Sequence, residues 1–324
     1  MNTALIYHPA YLKHDTGPHH PERASRLQAI LRKLQKTSLI SKLRLIEPKK
    51  APINDIALVH SREHILYIKN ICSRLRSNSK YSSGKAEKNV SLDTDTVISQ
   101  DSFESALFAA GGVIRAIDLV FQRGADNAFC MVRPPGHHAR PSQAMGFCIF
   151  NNIAIGARYL QKKYSLDRIA IIDWDVHHGN GTEEVFYEDP EILYISLHQY
   201  PHYPGTGARA DIGNNKGKGY NLNIPMPVAS GDLEYIKAFK ETVIPRVNDF
   251  KPQFILISAG FDGHRDDPLS SMTLTEQGYY EMTLILKELA SLYSQNRIVS
   301  VLEGGYNLFA LADSVHIHLK ALST

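Results

Sequence analysis

Short apolar runs alternate with longer stretches of helical periodicity along almost the whole chain of 324 residues. The runs over 3–7, 43–46, 127–132, 169–172, 192–197, 220–224, 254–258 and 298–302 read as strands, the first of them central. Several lack polar alternation, as expected of strands covered on both faces. Helices are expected where the stretch 20–23 leads into one running to about 34, over 61–71, from 101 to about 121, over 151–162, 182–187 and 233–247, from 273 to about 292, and after 306. Pro21 suits a helix start. Asp101 with Glu104, and Thr273 with Glu276, have capping-box spacing. The Ser-, Lys- and Gly-rich stretch 77–88 reads as an exposed loop, too short to mark a domain boundary. The pattern therefore predicts one α/β domain over 1–324, a mostly parallel sheet with helices on both faces.

The polar positions that interrupt this pattern cluster where strands end. His137 and His138, Asp175 and His177, Asp262, and Tyr306 each follow an apolar run. Taken singly, each is a turn or a cap. In an open parallel sheet the carboxyl ends of the strands share one edge, where ligands bind. Asp175 and His177 leave an extended segment on the same face. With Asp262 they give two carboxylates and an imidazole, a donor set for a divalent transition metal with room for water and substrate. The tandem imidazoles can shuttle a proton and the Tyr306 hydroxyl can donate to a developing oxyanion. Asp173 is left to orient a histidine or to hold a second ion through the backbone around it. This is the equipment for metal-assisted hydrolysis of an amide. Arg23, at a loop-to-helix junction, is either a surface charge or an anion-holding guanidinium.

Composition narrows the class. A hydrophobic content of 43% with 21% charged residues is an ordinary globular balance with ample material for a core, and a net charge of +3 gives no footing for nucleic acid. No apolar run approaches the ~20 residues of a membrane span, and the first residues do not read as a secretion signal. Cys72, Cys130 and Cys148 make no disulfide framework and fit a reducing, cytoplasmic setting. None lies in the loops that carry the metal donors, so a zinc ribbon is excluded.

The motifs resemble those of the zinc-dependent histone deacetylase and acetylpolyamine amidohydrolase family, of the arginase–deacetylase fold. They are His20-Pro21-Glu22-Arg23, Arg133-Pro134-Pro135-Gly136-His137-His138, Gly146-Phe147-Cys148, Asp173-Trp174-Asp175-Val176-His177-His178-Gly179-Asn180-Gly181, Tyr203-Pro204-Gly205-Thr206-Gly207, Ser258-Ala259-Gly260-Phe261-Asp262 and Glu303-Gly304-Gly305-Tyr306. Asn180 and Glu303 resemble the class II and bacterial branches. The resemblance implies that Asp175, His177 and Asp262 bind zinc, or iron in its place. It implies His138 as general base and acid, His137 as its electrostatic partner held by Asp173, and Tyr306 as the carbonyl-polarising donor. It further implies a potassium ion at Asp173, Ser196 and Leu197, near the backbone of Asp175 and His177. Gly146, Phe147, Tyr203, Leu269 and Gly304 would line an acyl-lysine tunnel, with Arg23 near an internal acetate pocket. Tyr203 stands where the family commonly has Phe. His178 is expected to be structural.

The expected substrate is an acetylated lysine in a peptide or protein. The alternative is a small acetylated polyamine. Leu269 replaces the acidic residue that polyamine-specific members place at the tunnel mouth, which weighs against a cationic amine. Asp95 is either a rim acceptor for a substrate backbone or a member of a solvated turn. A catalytically silent acyl-lysine binder would lack a metal ligand or the tyrosine, and this chain keeps both. A two-metal ureohydrolase of the same fold would need a second Asp-x-His-x-Asp motif. The oligomeric state is left open.

Overall fold

The computed structural model describes residues 1–81 and 88–324. Among the described residues the strands, in chain order, are β1 (Thr3–Ile6), β2 (Arg44–Ile46), β3 (Asn89–Ser91), β4 (Val97–Ser99), β5 (Asn127–Cys130), β6 (Ile169–Asp173), β7 (Ile192–Gln199), β8 (Asn221–Met226), β9 (Phe254–Ala259) and β10 (Ile298–Leu302). Eight form one sheet in the order β2-β1-β5-β10-β9-β6-β7-β8, and every pairing is parallel. The helices are α1 (Ser25–Lys36), α2 (Ile53–Ile56), α3 (Arg62–Tyr81), α4 (Ser102–Phe121), α5 (Asn152–Tyr164), α6 (Asn180–Phe186), α7 (Asp232–Ala238), α8 (Ile244–Phe250), α9 (Glu276–Tyr293) and α10 (Leu308–Ser323). Helices α4 and α5 pack together against one face of the sheet, and α1, α10 and α9 against the other. The inner strands β1, β5, β6, β7, β9 and β10 are buried along their full length, which is why their sequences do not alternate. Among the described residues no helix is long and apolar enough to cross a membrane.

Several expectations are corrected. β1 is one strand in from the edge, not central, because β2 is the terminal strand. α1 begins at Ser25, and the stretch 20–23 is a bend held by its own side chains. α3 runs to Tyr81, past the predicted end at 71, because Cys72 and Leu75 prolong the buried stripe of Ile65 and Ile68. Residues 82–87 of the predicted loop 77–88 lie outside the described residues. The Asp101 carboxylate pairs with Arg76 at 2.8 Å instead of capping α4. Thr275, not Thr273, caps α9, accepting from the Gln277 N–H at 3.2 Å. A turn of π-helix over Phe239–Val243 separates α7 from α8 inside the single helix expected over 233–247. The hairpin of β3 and β4 was not anticipated, since its strands are three residues each and mixed in polarity.

Behind the sheet edge lies a buried ionic cluster. Glu22, Arg26 and Arg133 have no exposure to solvent. Arg133 holds both Glu22 oxygens, through Nε and, at 2.8 Å, through Nη2. Arg26 Nη1 donates to Glu22 Oε1 at 3.2 Å. The remaining N–H groups go to carbonyls: Arg133 to Tyr11 and His14, Arg26 to Glu303 and Gly305. Burial alone would raise the Glu22 carboxyl, but the guanidiniums of Arg133 and Arg26 outweigh it and hold the group at about 2.

Because that value lies below the ~4.3 of an unfolded Glu, its stabilisation is present above pH ~4 and is lost as the pH falls toward 2. Glu22→Gln leaves two guanidiniums without their counter-charge and is expected to cost about 3–5 kcal/mol. Urea unfolding at pH 7 measures the loss, and the variant is expected to lose less stability than wild type between pH ~4 and ~2.

Candidate active site

The sheet aims its chemistry at one edge. Asp175 and His177 follow β6, and Asp262 follows the adjacent β9. All three side chains are buried, and a donor atom from each lies within 4.8 Å of the others. His177 Nδ1 is 3.1 Å from Asp175 Oδ1 and 3.1 Å from Asp262 Oδ2. Backbone N–H groups orient the carboxylates: Gly304 donates to Asp175 Oδ2 at 2.8 Å, and Val176 to Asp262 Oδ1 at 3.0 Å. Burial and the facing Asp175 carboxylate push the Asp262 carboxyl up. Two carboxylates crowded beside one imidazole, away from water, form a cradle that a divalent cation fits.

The imidazole pair lies beside this cradle. His137 Nδ1 meets Asp173 Oδ2 at 3.1 Å, and Tyr194 OH donates to the same oxygen at 3.0 Å. His138 Nδ1 donates to Asn180 Oδ1 at 2.8 Å, while Asn180 Nδ2 turns to the Met145 sulfur at 3.3 Å. The two rings are 4.0 Å apart between centroids. Burial disfavours charge on His137, but Asp175 and Asp173 outweigh it and hold the imidazole at about 10. Burial and the neighbouring His137 and His177 push His138 well down. The flanking acids and burial thus push the two imidazoles in opposite directions, His137 toward holding a proton and His138 toward the neutral form that can take one.

A cavity of about 260 Å³ opens over these groups, lined by Asp95, His138, Gly146, Phe147, His177, His202, Tyr203, Leu269 and Tyr306. Phe147 sits edge-on to Tyr306, with ring centroids 5.7 Å apart. Its backbone is left-handed at φ 68°, a strain of roughly 1–3 kcal/mol that the surrounding structure must hold in place. Gly146 must be glycine, since a Cβ there would stand 2.4 Å from His138 Cδ2. Tyr203 is 36% exposed as a residue, and burial is the main cause that pushes its phenol up. Burial, then Asp262, push the Tyr306 phenol well up, so it stays a donor. Its N–H is held by Asp267 Oδ2 at 2.6 Å.

The structure brings the predicted metal ligands, the imidazole pair, Phe147, Tyr203, Leu269 and Tyr306 into one site. Asp95 is half-buried on its rim, in the turn between β3 and β4. Ser196 and Leu197 lie on β7, with Ser196 in register with Asp173. His178 faces away, with Nδ1 on Thr206 Oγ1 at 2.8 Å. Arg23 is a correction: it is exposed and reaches only Pro18 O at 3.5 Å. The guanidinium under Tyr306 is that of Arg26, 5.0 Å from its ring centre, one helical turn deeper along the chain. Gly304 is the other correction, since it backs the carboxylates rather than the cavity, and a Cβ there would fall 2.0 Å from Asp262 Oδ2. The sequence reading missed His202, which stacks on His177 at 5.0 Å and bonds Leu269 O at 3.0 Å. It also missed Thr96, whose hydroxyl accepts from Phe147 N at 3.0 Å, and Asp267. Asp267 had a signal, adjacent to Leu269 across Pro268.

A family model for the histone deacetylase domain matches residues 20–322. The chain belongs to the histone deacetylase family. It is 44% identical to a probable deacetylase of Archaeoglobus fulgidus, covering 95% of this chain and 82% of that protein. It is 38% identical to the chloroplastic histone deacetylase 14 of Arabidopsis thaliana, covering 98% and 76%. Human histone deacetylase 9 is 39% identical over 99% of this chain, which spans 34% of that longer protein. The crystal structure of the HDA15 HD domain superposes with a TM-score of 0.90 at 35% identity, covering 99% of this chain and 88% of that one.

A deacetylase of this family hydrolyses an acyl-amide at a divalent metal, and the cradle of Asp175, His177 and Asp262 is where this chain holds it. Metal analysis of the purified deacetylase is expected to find a single divalent ion per chain. Asp262→Ala is expected to weaken metal retention by more than the ~10–100-fold that losing a supporting group costs, read by competition with a chelator.

Proposed function

We propose that this deacetylase releases acetate from acetylated lysine side chains in peptides or proteins, with zinc as its metal. The supporting observation is the cavity of about 260 Å³ that the aromatic rings of Phe147 and Tyr203 line together with His138, His177 and Tyr306. Aromatic walls suit an aliphatic stem and exclude water around the acyl group. A bound divalent ion supplies Lewis acidity and acidifies water at the floor of the site. His138 takes the proton at Nε2 and returns it to the leaving amine. His137, held by Asp173, keeps a positive charge beside the reaction. Tyr306 donates its phenolic proton in a hydrogen bond to the acyl oxygen as charge builds there. Asp95 accepts from a substrate backbone at the rim, and apolar Leu269 offers no anchor to a cationic amine.

Iron in place of zinc is distinguished by the metal analysis. Potassium at Asp173, Ser196 and Leu197 completes the reading, as a counter-charge beside the acidic floor. A reducing, cytoplasmic setting fits the three free, buried thiols Cys72, Cys130 and Cys148.

A second reading, a small acetylated polyamine, has one observation in its favour: Asp93 lies beside Asp95 and reinforces negative charge at the rim. A competition of acetyl-lysine peptides against acetylated polyamines, scored by kcat/KM, separates the two. The peptide is expected to win, and a polyamine preferred by about 100-fold or more reverses the assignment. With the winning substrate, Tyr306→Phe is expected to lower kcat by about 10²–10³-fold at little change in KM.

A further inference from the structure

Glu303 takes no part in the steps above, yet it occupies the centre of the site's support. It directly follows β10 and has no exposure to solvent. Its Oε2 accepts from the Gly136 N–H at 2.6 Å and from the His137 N–H at 3.2 Å. Its Oε1 is buried with no hydrogen-bond partner among the described residues. The same residue is fixed through its backbone: its N–H donates to Ala259 O at 3.0 Å, and its carbonyl accepts from Arg26 Nη2 at 2.5 Å.

The next residues carry the connection onward. Gly304 N donates to the metal ligand Asp175, Gly305 O accepts from Arg26 at 2.6 Å, and Tyr306 N is held by Asp267. Segment 303–306 thus touches in turn the imidazole loop, a metal ligand and the catalytic phenol. The imidazole loop depends on this contact because of its own sequence. Pro134 and Pro135 have no N–H to give. The first backbone donors after Arg133 are those of Gly136 and His137, and both converge on one oxygen of Glu303.

We propose that Glu303 is a positioning residue for deacetylation: it sets where the imidazoles of His137 and His138 stand relative to the metal ligands and Tyr306. It works as a hydrogen-bond acceptor for the Gly136 and His137 backbone. A Gln at 303 presents an amide oxygen to the same N–H pair and leaves its NH2 where Oε1 already has no partner. An Asp keeps the charge but is a methylene too short to reach. A misplacement of about 1 Å in such a site costs on the order of 10²-fold in rate.

The test rests on the deacetylase chemistry and not on the acetyl-lysine reading. It uses whichever acetylated substrate the wild-type enzyme turns over fastest. Rates are expressed per site titrated with a tight-binding hydroxamate, so unfolded protein is not counted. E303Q is expected to keep kcat within about threefold, while E303D and E303A lose about 10²-fold in kcat with KM and metal content within about twofold of wild type. Wild-type kcat per titrated site in E303D or E303A overturns the proposal, as does a loss carried by KM alone. A fall in E303Q as deep as that in E303D also overturns it, because charge rather than placement would then be what matters. If E303A does not fold, the contrast of E303Q with E303D decides alone.

Discussion

Two carboxylates, Asp175 and Asp262, are buried face to face at the ends of neighbouring parallel strands, and the rest of the structure answers that repulsion. Parallel pairing puts the carboxyl ends of β6 and β9 side by side, so the two acids cannot separate without breaking the sheet. Burial makes their charges costly, and each raises the other's need for a positive neighbour. Backbone N–H groups of Val176, His177 and Gly304 meet some of that need. The His177 imidazole stands between them, its Nδ1 3.1 Å from an oxygen of each. The remainder is the demand for a divalent cation, so the metal site arises from where a parallel sheet ends.

The supporting shell obeys the same electrostatics. Asp173 and Glu303 add acids close to the cradle, and the fold answers with cations that cannot leave. Asp175 and Asp173 push the His137 imidazole up, toward its protonated form. Arg26 and Arg133 are buried behind the loops, tied to Glu22 and to loop carbonyls. Arg26 is the link between the two halves. It shares Glu22 with Arg133, takes the carbonyls of Glu303 and Gly305, and lies against the Tyr306 ring. A guanidinium is suited to this because its donors are fixed in a plane and its charge does not titrate away.

Much of this was legible in the sequence, for a physical reason. Strand runs such as 169–172 and 254–258 are continuous because both faces are covered, and the residues just after each buried strand of a parallel sheet stand at one edge. That rule alone gathers Asp175, His177, Asp262, His137 and Tyr306. Contacts that depend on long reach across the fold were not legible. Arg23 and Arg26 are alike to the eye, and only the phase of α1 decides that Arg26 turns inward. Gly304 sits in a motif beside Tyr306, yet its proximity to Asp262 decides that it backs the metal. The β3–β4 hairpin has strands of three residues, too short for their alternation to stand out. Its turn is held by Asp93 Oδ1, by His20 at the Asp95 carbonyl and by Phe147 N at the Thr96 hydroxyl.

The division of labour between the two adjacent histidines is set by their partners. Rings 4.0 Å apart cannot both be charged without a large repulsion, so the protein must choose one. Asp173 and Asp175 settle the charge on His137. Asn180 settles the rest: its amide oxygen accepts from His138 Nδ1 but adds no negative charge that would draw a proton onto the ring. The Asn180 NH2 faces the Met145 sulfur at 3.3 Å. A carboxylate at 180 would compete with His137 for the single positive charge. With an amide there, His138 keeps its proton at Nδ1 and its lone pair at Nε2, on the side of the cavity where the acyl group must be attacked.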